Sequence, residues 1–501
     1  MNQSRRRFLQ TSSLLAAALP LTKLRLSSAE PTAAVSPLVP PASPDAGARP
    51  LREILFTPGN TSERLRSYDR FEPMQKSALN PVFTATMPWE DSGFGWGSVI
   101  RSRLDGKFKY FYGTEFPGQV DGTIAIDNSQ QGKKHCVVCY AESDDGLHWH
   151  RPALNLFFAD KFPGNNIIVH WPAYFNDSSS VIEDFIERDS ARRYKMLMYH
   201  HDVKNLDARG GCLLVSPDGL HWTPTGTVLP SQDAESLWQD PAGHYYGFLK
   251  DRIGDNRSRM LVHSADFKTW SEPQWIITPD HGDHAGTNFY NQSAFTLSGR
   301  TLGFLNVYDL ETQTTWIELV ESGDNFNWRR MPSRARLLEP GSPGSYDGGG
   351  TYLGLAEPIL IGDEHRYYYY ASADRHDDAA AGQLSRQKPS LAFATFKKNR
   401  LVGQQTEGDG YFATLPFICP GGKLFLNFVC ASEVSVSVKR AGYGIEYEGL
   451  AQKDCHPVTG DQPHAAITWA TKPNLDELKG HYIRLRIHGR NLTAYSAAFE
   501  A

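Results

Sequence analysis

A short pattern that occurs four times constrains the fold of this chain more than any other feature. It ends in tryptophan and is found at 143–149, 216–222, 264–270 and 322–328, so the copies start 73, 48 and 58 residues apart. In every copy a serine stands six residues before the tryptophan, and an aspartate stands two residues after the serine. A unit that recurs at this spacing predicts a repeat architecture in which each copy belongs to one supersecondary unit.

The pattern itself predicts a tight turn between two strands. Aliphatic runs such as Cys212–Val215 and Ile317–Val320 lead into it. The aspartate, and the glycine or asparagine that follows it in three copies, are residues that suit a tight turn. We therefore expect the aspartates to bond their own backbone rather than to act as acids. The tryptophan is expected to pack its indole ring against the neighbouring unit.

Further strands are predicted around each copy. Segments at 107–112, 193–199, 244–249 and 301–307 precede the four patterns, and 366–370 with 390–396 form a fifth unit that lacks the tryptophan. Aromatic residues make up 12% of the chain, and 43 glycines and 31 prolines suit strands and turns better than helices. Several short strands per unit and five units predict an all-β fold, a five-bladed β-propeller over residues 51–403.

The last hundred residues change character. Apolar or alternating segments at 424–429, 434–438, 466–469 and 482–487 predict strands without the repeated pattern. Residues 404–501 are therefore predicted to form a small β-sandwich that follows the propeller. Sugar binding and simple support are both open as its role.

The N-terminus predicts export. Arg5 and Arg6, within the run Ser4–Gln10, resemble a twin-arginine signal, and a short apolar stretch and small residues follow. Residues 1–29 are predicted to be a signal peptide and 30–50 a flexible leader rich in proline and alanine, which places the mature protein in the periplasm or outside the cell. Removing the signal leaves 46 basic and 56 acidic residues. That balance argues against a nucleic-acid partner, and no segment is apolar enough to predict a transmembrane helix.

Six cysteines show no spacing that is typical of a metal or haem site. Buried thiols are the expectation. One disulfide among Cys419, Cys430 and Cys455 is the alternative in an exported protein.

Five segments together resemble a known superfamily. They are Asn80–Val82 with Pro88–Glu90, the tryptophan turns, Asp233–Pro241, Gly344–Gly348, and Thr459–Asp461 with Ile467–Trp469. The chain resembles the arabinanase, levansucrase and invertase superfamily, which includes glycoside hydrolase families 32 and 43, and is most similar to an exported bacterial branch of it. The resemblance covers residues 75–500 and implies a five-bladed propeller that acts on carbohydrate.

The chain departs from that superfamily at its best-known motifs. The Asn-Asp-Pro-Asn, Arg-Asp-Pro and Glu-Cys motifs are absent, and Gln239–Pro241 is a partial match to the second. Fructosidase activity is therefore not what the resemblance implies here.

Carboxylates that precede the innermost strand of different blades are the candidate catalytic groups. Glycoside cleavage needs a proton donor and a negative partner for an oxocarbenium-like transition state. We predict Glu90 as general acid or base, Asp347 as its partner and Asp233 as an orienting or charge-stabilising group, with Glu235 as the main competitor. Each could instead be a structural carboxylate. Further polar candidates for binding the substrate are Asp91, Asp177, Tyr290, Asn291 and Glu357.

Aromatic and histidine side chains complete the candidate site. Rings near the predicted mouth could stack on sugars or belong to the core: Trp89, Trp96, Trp171, Trp238, Tyr290 and Tyr346. His201, His281 and His284 could hold a divalent cation such as calcium, although solvated polar loops explain them equally well.

Three functional classes follow. The first is an exported glycoside hydrolase that cleaves a polysaccharide or oligosaccharide with carboxylate acid/base catalysis. The second is a carbohydrate-binding propeller without catalysis, and the third is a scaffold for other proteins. A metal-assisted polysaccharide lyase, with His201 and His281 more important than Glu90, is a further alternative. The expected partner is a carbohydrate, and the sequence leaves the oligomeric state open.

Overall fold

In a computed structural model of the chain, the described residues form thirty-two strands and three short 3-10 turns. The structure describes residues 52–501 except 118–125, 129–131, 171–173, 203–204, 377 and 379–386. Within the strands it does not describe the side chains at 126–128, 132–134, 174–177, 201–202 and 205–209. The 3-10 turns are Ser190–Arg192, Gln452–Asp454 and Asp476–Leu478. Among the described residues no helix is long and apolar enough to cross a membrane.

Three strands precede the ring and five antiparallel sheets form it. The leading strands are β1 (Glu53–Leu55), β2 (Thr61–Phe71) and β3 (Gln75–Lys76). Blade one contains β4 (Gly97–Arg101), β5 (Phe108–Pro117), β6 (Ile126–Asn128), β7 (Gly132–Ser143) and β8 (Ile167–Val169). Blade two contains β9 (Tyr174–Glu183), β10 (Tyr194–Asp202), β11 (Asn205–Ser216) and β12 (Thr223–Leu229). Blade three contains β13 (Ser236–Gln239), β14 (Tyr245–Ile253), β15 (Asn256–Ser264) and β16 (Gln274–Ile277).

The last two blades follow the same plan. Blade four contains β17 (Thr287–Gln292), β18 (Phe295–Leu297), β19 (Arg300–Asp309), β20 (Thr314–Ser322), β21 (Trp328–Arg330) and β22 (Arg336–Leu338). Blade five contains β23 (Gly350–Tyr352), β24 (Ile359–Ile361), β25 (Glu364–Ser372) and β26 (Ser390–Lys397). The N-terminal strand β3 pairs with β26 as the outermost strand of blade five. Pairing the start of the ring with its end covers an otherwise open sheet edge. The predicted five-bladed propeller is thus confirmed.

The repeated turns have the predicted structure. In the first copy Asp145 Oδ1 accepts hydrogen bonds from the backbone N–H groups of Leu147 and His148 at 2.8 and 2.9 Å, and from Ser143 Oγ at 3.0 Å. The same bonds recur at Asp218, Asp266 and Asp324. Partial burial raises the pKa of Asp145, but these hydrogen bonds outweigh it and hold the pKa below its usual range. The aspartates are therefore structural, as the sequence predicts.

The tryptophans pack against the preceding blade. Trp149 of blade one meets Tyr368 of blade five with ring centroids 6.1 Å apart. Trp222 of blade two meets Phe111 of blade one at 6.2 Å, and Trp328 of blade four lies 5.3 Å from the ring centroid of Phe248 in blade three. Each copy of the pattern thus joins two blades, because a large ring at the turn buries apolar area between them.

We expect Asp145→Ala to lower the free energy of unfolding by about 1 kcal/mol, because two backbone donors lose their acceptor. Asp144→Ala is the matched control, since Asp144 is the exposed neighbour in the same turn. Urea unfolding of both variants at neutral pH measures the difference. Because the pKa of Asp145 is lowered in the folded state, its contribution is present near neutral pH and is lost as the pH falls through that lowered pKa. Equal loss in the two variants would contradict the structural role.

The C-terminal sheet contains six strands from the end of the chain. They are β27 (Val402–Thr414), β28 (Phe417–Ile418), β29 (Lys423–Arg440), β30 (Val458–Ile467), β31 (Tyr482–Arg490) and β32 (Thr493–Glu500). The segments predicted at 424–429 and 434–438 are one long strand, β29, which pairs with β32 through its first half and with β31 through its second. This change of partner folds the sheet around one apolar core, in which Trp469 is buried. The arrangement is compatible with the predicted β-sandwich.

The boundary of the propeller needs a correction at its N-terminal side. Residues 53–71 were predicted to belong to the propeller, but β1 pairs with β32 and β2 pairs with β27 of the C-terminal sheet. Ile54 and Phe56 enter the core of that sheet, which explains the pairing. The predicted signal peptide and the whole of the predicted leader lie outside the described residues, so export stays a prediction.

The six cysteines all lie in the described part of the chain, and none forms a disulfide. All are buried. The expectation of buried thiols is therefore met, and the alternative of a disulfide among Cys419, Cys430 and Cys455 is wrong for this structure.

Serine hydroxyls join the inner strands near the ring axis. Ser180 Oγ of blade two donates to the carbonyl of Leu355 in blade five at 3.0 Å and accepts from the Leu237 N–H in blade three at 2.8 Å. Ser98 Oγ of blade one donates to the carbonyl of Ser179 at 3.0 Å. Small side chains let these strands approach closely, so the blades touch at this level. The two ends of the ring therefore have separate surfaces.

Candidate active site

The entrance mouth is the end of the ring where the inner strands β4, β9, β13, β17 and β23 begin. An aromatic cluster lies there, built from three blades. Trp96 stacks on Tyr290, with centroids 5.0 Å apart and planes at 29°. Tyr352 and Tyr370 approach Trp96 at 5.9 and 6.3 Å. The indole N–H of Trp96 has no hydrogen-bond partner among the described residues.

Tyr290 is the centre of this cluster because of its position in the strand. The pairing of β17 with β19 shifts register between Phe289 and Asn291, which places Tyr290 at a β-bulge. Bulges re-aim a side chain and are frequent beside active sites. The Tyr290 hydroxyl lies 2.9 Å from His376 Nε2, and the His376 ring lies 4.5 Å from the ring of Tyr308.

Cationic side chains from blade three face the same rings. Lys250 Nζ lies 4.3 Å from the centroid of Tyr290. The Arg257 guanidinium lies 5.1 Å from Tyr290 and 5.4 Å from Tyr308. Such contacts favour the cation electrostatically. The mouth thus combines aromatic faces with positive charge.

Two carboxylates flank Ala234 in the turn that leads into β13. This buried alanine has φ of 61°, in the left-handed region that an L-residue rarely adopts, and it packs within the aromatic cluster. Asp233 is 34% exposed and forms an ion pair with Lys250. Glu235 is fully buried, and its Oε2 accepts a hydrogen bond from Ser178 Oγ at 2.8 Å. Strained backbone of this kind is concentrated at functional sites, where it fixes the direction of neighbouring side chains.

A buried arginine holds the Asp233–Glu235 turn in place. Arg259 is fully buried, and its guanidinium donates to the carbonyls of Ala234, Phe248 and Tyr290 at 3.0 to 3.3 Å. Burial lowers the pKa of Arg259 to about 9, and the charge of Glu235 opposes part of this shift. The arginine therefore ties the carboxylate-bearing turn to the bulged strand that carries Tyr290.

Glu90 is not available as a catalytic group at the entrance mouth. It is fully buried, and its carboxylate accepts from Arg151 at 2.8 and 2.9 Å, from the Tyr112 hydroxyl at 2.7 Å, and from the N–H groups of Thr86 and Met87. All of these partners belong to blade one and to the segment that leads into it. The surroundings give Glu90 a structural role and do not support the predicted acid or base.

Asp347 is also held in the framework. Lys76 Nζ lies 2.5 Å from its Oδ2, and the Tyr369 hydroxyl donates to the same oxygen at 3.0 Å. Lys76 is on the outermost strand of blade five, so the ion pair draws Asp347 away from the inner strands. Tyr346 beside it bonds to Asn80 and Tyr369 and packs on the core between blades four and five. Neither residue is placed as a partner of Glu90.

The remaining predicted binding residues are dispersed. Trp89 is buried in blade one and donates to Asn166 Oδ1 at 2.8 Å. Asp91 is exposed, 3.6 Å from Lys388 Nζ. Asn291 is fully buried on the inner strand, where its Oδ1 accepts from the Gln292 N–H at 2.6 Å. The side chain of Asp177 and the whole of Trp171 lie outside the described residues. Of the predicted binding residues, the entrance mouth therefore gathers Trp96 and Tyr290.

Trp238 and Glu357 lie at the opposite end of the ring. They line a cavity of about 250 Å³ to which all five blades contribute, including Val99, Val181 and Ala294. The Trp238 indole donates to Glu357 Oε1 at 2.6 Å. Glu357 is exposed at the rim of the cavity, and desolvation by the surrounding protein raises the pKa of its carboxyl group to about 7. Trp238 was predicted at the entrance mouth, so this position corrects the prediction.

The fluorescence of Trp238 is expected to change with a midpoint near pH 7, because its indole bonds to a carboxyl group that gains or loses a proton there. Comparison with Glu357→Gln isolates this contribution from the other tryptophans. The pH-dependent step should be present in the wild type and absent from the variant. The same step in both proteins would contradict the assignment.

The histidines do not form a metal site in the described part of the chain. His281 is exposed, and His284 Nε2 lies 3.4 Å from Asp309 Oδ2. The side chain of His201 is outside the described residues. Among those that are described, no group of three histidine, cysteine, aspartate or glutamate residues could hold an ion. The divalent cation, calcium included, stays a prediction.

Several residues of the mouth were missed in the sequence. Lys250, Arg257 and Arg259 come from the second and third strands of blade three, and His376 follows the second strand of blade five. The predicted catalytic carboxylates precede inner strands, whereas these four residues lie on or after later strands of their blades. The sequence signal that could have indicated them was the pair of charged residues at alternate positions, 257 and 259, near the start of β15.

Comparison with known proteins gives similarity at the level of solved structures only. No protein-family model matches the chain, and no curated protein matches it. A glycosyl hydrolase from Bacteroides ovatus is 12% identical, with a TM-score of 0.43 over 66% of this chain and 96% of its own.

Two further solved structures show the same degree of likeness. A β-1,2-mannobiose phosphorylase from Listeria innocua is 11% identical, with a TM-score of 0.45 over 66% of this chain and 98% of its own. An N-acetylgalactosamine deacetylase from F. plautii is 14% identical, with a TM-score of 0.42 over 66% and 96%. These three proteins differ in the activities that their names state, and at such scores the likeness assigns none of them to this chain.

Proposed function

We propose that the entrance mouth binds a carbohydrate and that the protein cleaves a glycosidic bond there. The observation that carries the proposal is the Asp233–Glu235 turn, with Ala234 in the left-handed region, packed against rings from three other blades. Aromatic faces suit the apolar faces of sugars, and the cleavage of a glycosidic bond needs two carboxyl groups with different roles. Asp233 and Glu235 stand in different surroundings, as such a division of roles requires.

The roles follow from those surroundings. Glu235 is buried away from water beside Ser178 and is proposed as the proton donor to the leaving oxygen. Asp233 beside Lys250 is proposed to remain charged and to stabilise positive charge in the transition state. Trp96 and Tyr290 would position the sugar.

A water molecule or an inorganic phosphate could accept the sugar. Water completes hydrolysis, and phosphate completes phosphorolysis by taking the place of water. The cations Lys250 and Arg257 in the mouth make phosphate a chemically reasonable acceptor. Export to the periplasm or beyond remains a separate proposal that rests on the N-terminal sequence.

A carbohydrate-binding propeller without catalysis is the second candidate. It is favoured by the bonds that Asp233 and Glu235 already make to Lys250 and Ser178. A lyase would need the metal that the histidines were predicted to hold.

A screen of the purified protein against a panel of plant, algal and microbial glycans, with and without inorganic phosphate, tests the proposal. We expect saturable release of reducing ends or of sugar phosphate, and its loss in the double variant Asp233→Asn/Glu235→Gln. Binding without release by both proteins would support the second candidate. Equal release by both proteins would overturn the assignment of the site.

A further inference from the structure

A groove lies between blade five and the C-terminal sheet, far along the chain from the entrance mouth residues. It encloses about 550 Å³, within the range of small-molecule sites. Its walls are the turn after β26, residues 397–400, and the strands β29, β30 and β32. Both parts of the protein thus contribute to one concave surface.

The floor of the groove carries a pair of stacked rings. Phe425 of β29 and His464 of β30 lie 4.0 Å apart, with planes at 6°. His464 is 48% exposed and its Nε2 lies 3.1 Å from Glu500 Oε1. Both rings line the groove, and the Glu500 carboxylate holds the histidine on one side. A flat ring next to a hydrogen-bonding group is the arrangement that recognises a sugar face and its hydroxyls.

A fixed polar wall stands beside the stack. Arg400 is 7% exposed, and it donates to Asn427 Oδ1 at 2.7 Å and to Asp461 Oδ1 at 2.6 Å. Asn427 in turn donates to the carbonyl of Lys398 at 3.3 Å. Asp461 is 56% exposed and lines the groove, while Arg400 holds one of its carboxylate oxygens. The wall is therefore organised before any ligand arrives, which reduces the entropy lost on binding.

The charge of the groove indicates the class of ligand. Four acidic groups, Glu53, Asp363, Asp461 and Glu500, face the cations Lys397, Lys398 and Arg400 and the titratable His464. This near balance favours neither an anionic nor a cationic ligand. Hydroxyl groups, which both donate and accept, satisfy such a mixed lining best.

We propose that this groove is a second carbohydrate-binding site, which holds a neutral glycan chain apart from the entrance mouth. The choice of a glycan as the ligand rests on the proposed function. Phe425 and His464 would stack on a sugar ring, and Asp461 and Glu500 would accept hydrogen bonds from its hydroxyls.

Native electrophoresis through gels that contain yeast mannan, arabinan, mixed-linkage β-glucan or polygalacturonate tests this site. We expect at least one neutral polysaccharide to retard the wild type. His464→Ala and Asp461→Ala should each weaken the retardation, by up to about tenfold in the dissociation constant for the stack. His481→Ala is the control, because His481 is an exposed histidine of the same domain outside the groove. Equal thermal unfolding midpoints confirm that the variants fold.

The outcomes separate this site from the mouth. The double variant Asp233→Asn/Glu235→Gln should keep the retardation, and the groove variants should keep the turnover of short soluble glycans. If the wild type is retarded in the gel but cleaves no glycan, the proposed binding site in the groove is supported and the proposed catalysis is refuted. Retardation that is unchanged in both groove variants, that occurs with polygalacturonate alone, or that is absent with all four polysaccharides would overturn the groove.

Discussion

Arg151→Met is expected to lower the free energy of unfolding by about 3–5 kcal/mol, because it leaves the buried Glu90 carboxylate without its cation. The pair makes two short bonds at 2.8 and 2.9 Å, and Glu90 has no exposed surface. The Tyr112 hydroxyl and two backbone N–H groups would remain, but they do not neutralise the charge. Arg151 also covers the ring of Phe83 at 3.8 Å, so the loss of packing adds to the effect. Denaturant unfolding measures it.

Two variants make this test specific. Arg70→Met removes the cation of the exposed pair Arg70–Glu72 and should cost about 1 kcal/mol or less. The double variant Arg151→Met/Glu90→Gln should recover part of the stability, because no unpaired charge remains. A loss below about 1 kcal/mol for Arg151→Met would mean that Glu90 is not the structural anchor that its contacts indicate. If the Glu90→Gln variant folds but loses all turnover, Glu90 becomes a catalytic candidate again.

The repeated turns allowed the fold to be predicted because the information in them is local. Ser143, Asp145 and the two residues that follow make their bonds within one turn, and the tryptophan that ends the pattern packs on the adjacent blade. Five units of this kind close into a ring by repetition. The pairing of β1 and β2 with the C-terminal sheet was missed, since nothing local distinguishes an edge strand of one sheet from that of another.

The site was harder to predict because its chemistry depends on partners that are distant in sequence. Glu90 and Asp347 have the residue type and the position of catalytic carboxylates, but Arg151 and Lys76 neutralise them. Which acid receives a cation is decided by strand register and by closure of the ring. The β-bulge at Tyr290 and the left-handed Ala234 are likewise features of the folded backbone, and no residue type at these positions signals them.

Glu235→Gln is expected to lower kcat on a natural glycan by about 10²–10⁴-fold, the range typical of the loss of a general acid. Glutamine keeps a side-chain oxygen that can accept from Ser178 and fills nearly the same volume, but it removes the negative charge that acts on the buried Arg259. The unfolding midpoint of the variant is therefore measured beside kcat, so that a loss of stability is not read as a loss of catalysis. Glu272→Gln is the matched control, since Glu272 is an exposed glutamate near the outer strands of the same blade. Steady-state kinetics with the glycan found in the screen measures the loss.

Substrates with different leaving groups distinguish a proton donor from a residue with another role. A dinitrophenyl glycoside releases a stable anion that needs no proton, so Glu235→Gln should retain most of the wild-type rate on this substrate. Asp233→Asn should slow both substrates, because a charge that stabilises the transition state is needed whatever group leaves. A loss that is equal on the glycan and on the dinitrophenyl glycoside would give Glu235 a different role. An unchanged kcat on both substrates would place the reacting bond elsewhere on the ring, because neither rate would then depend on the Glu235 carboxyl group.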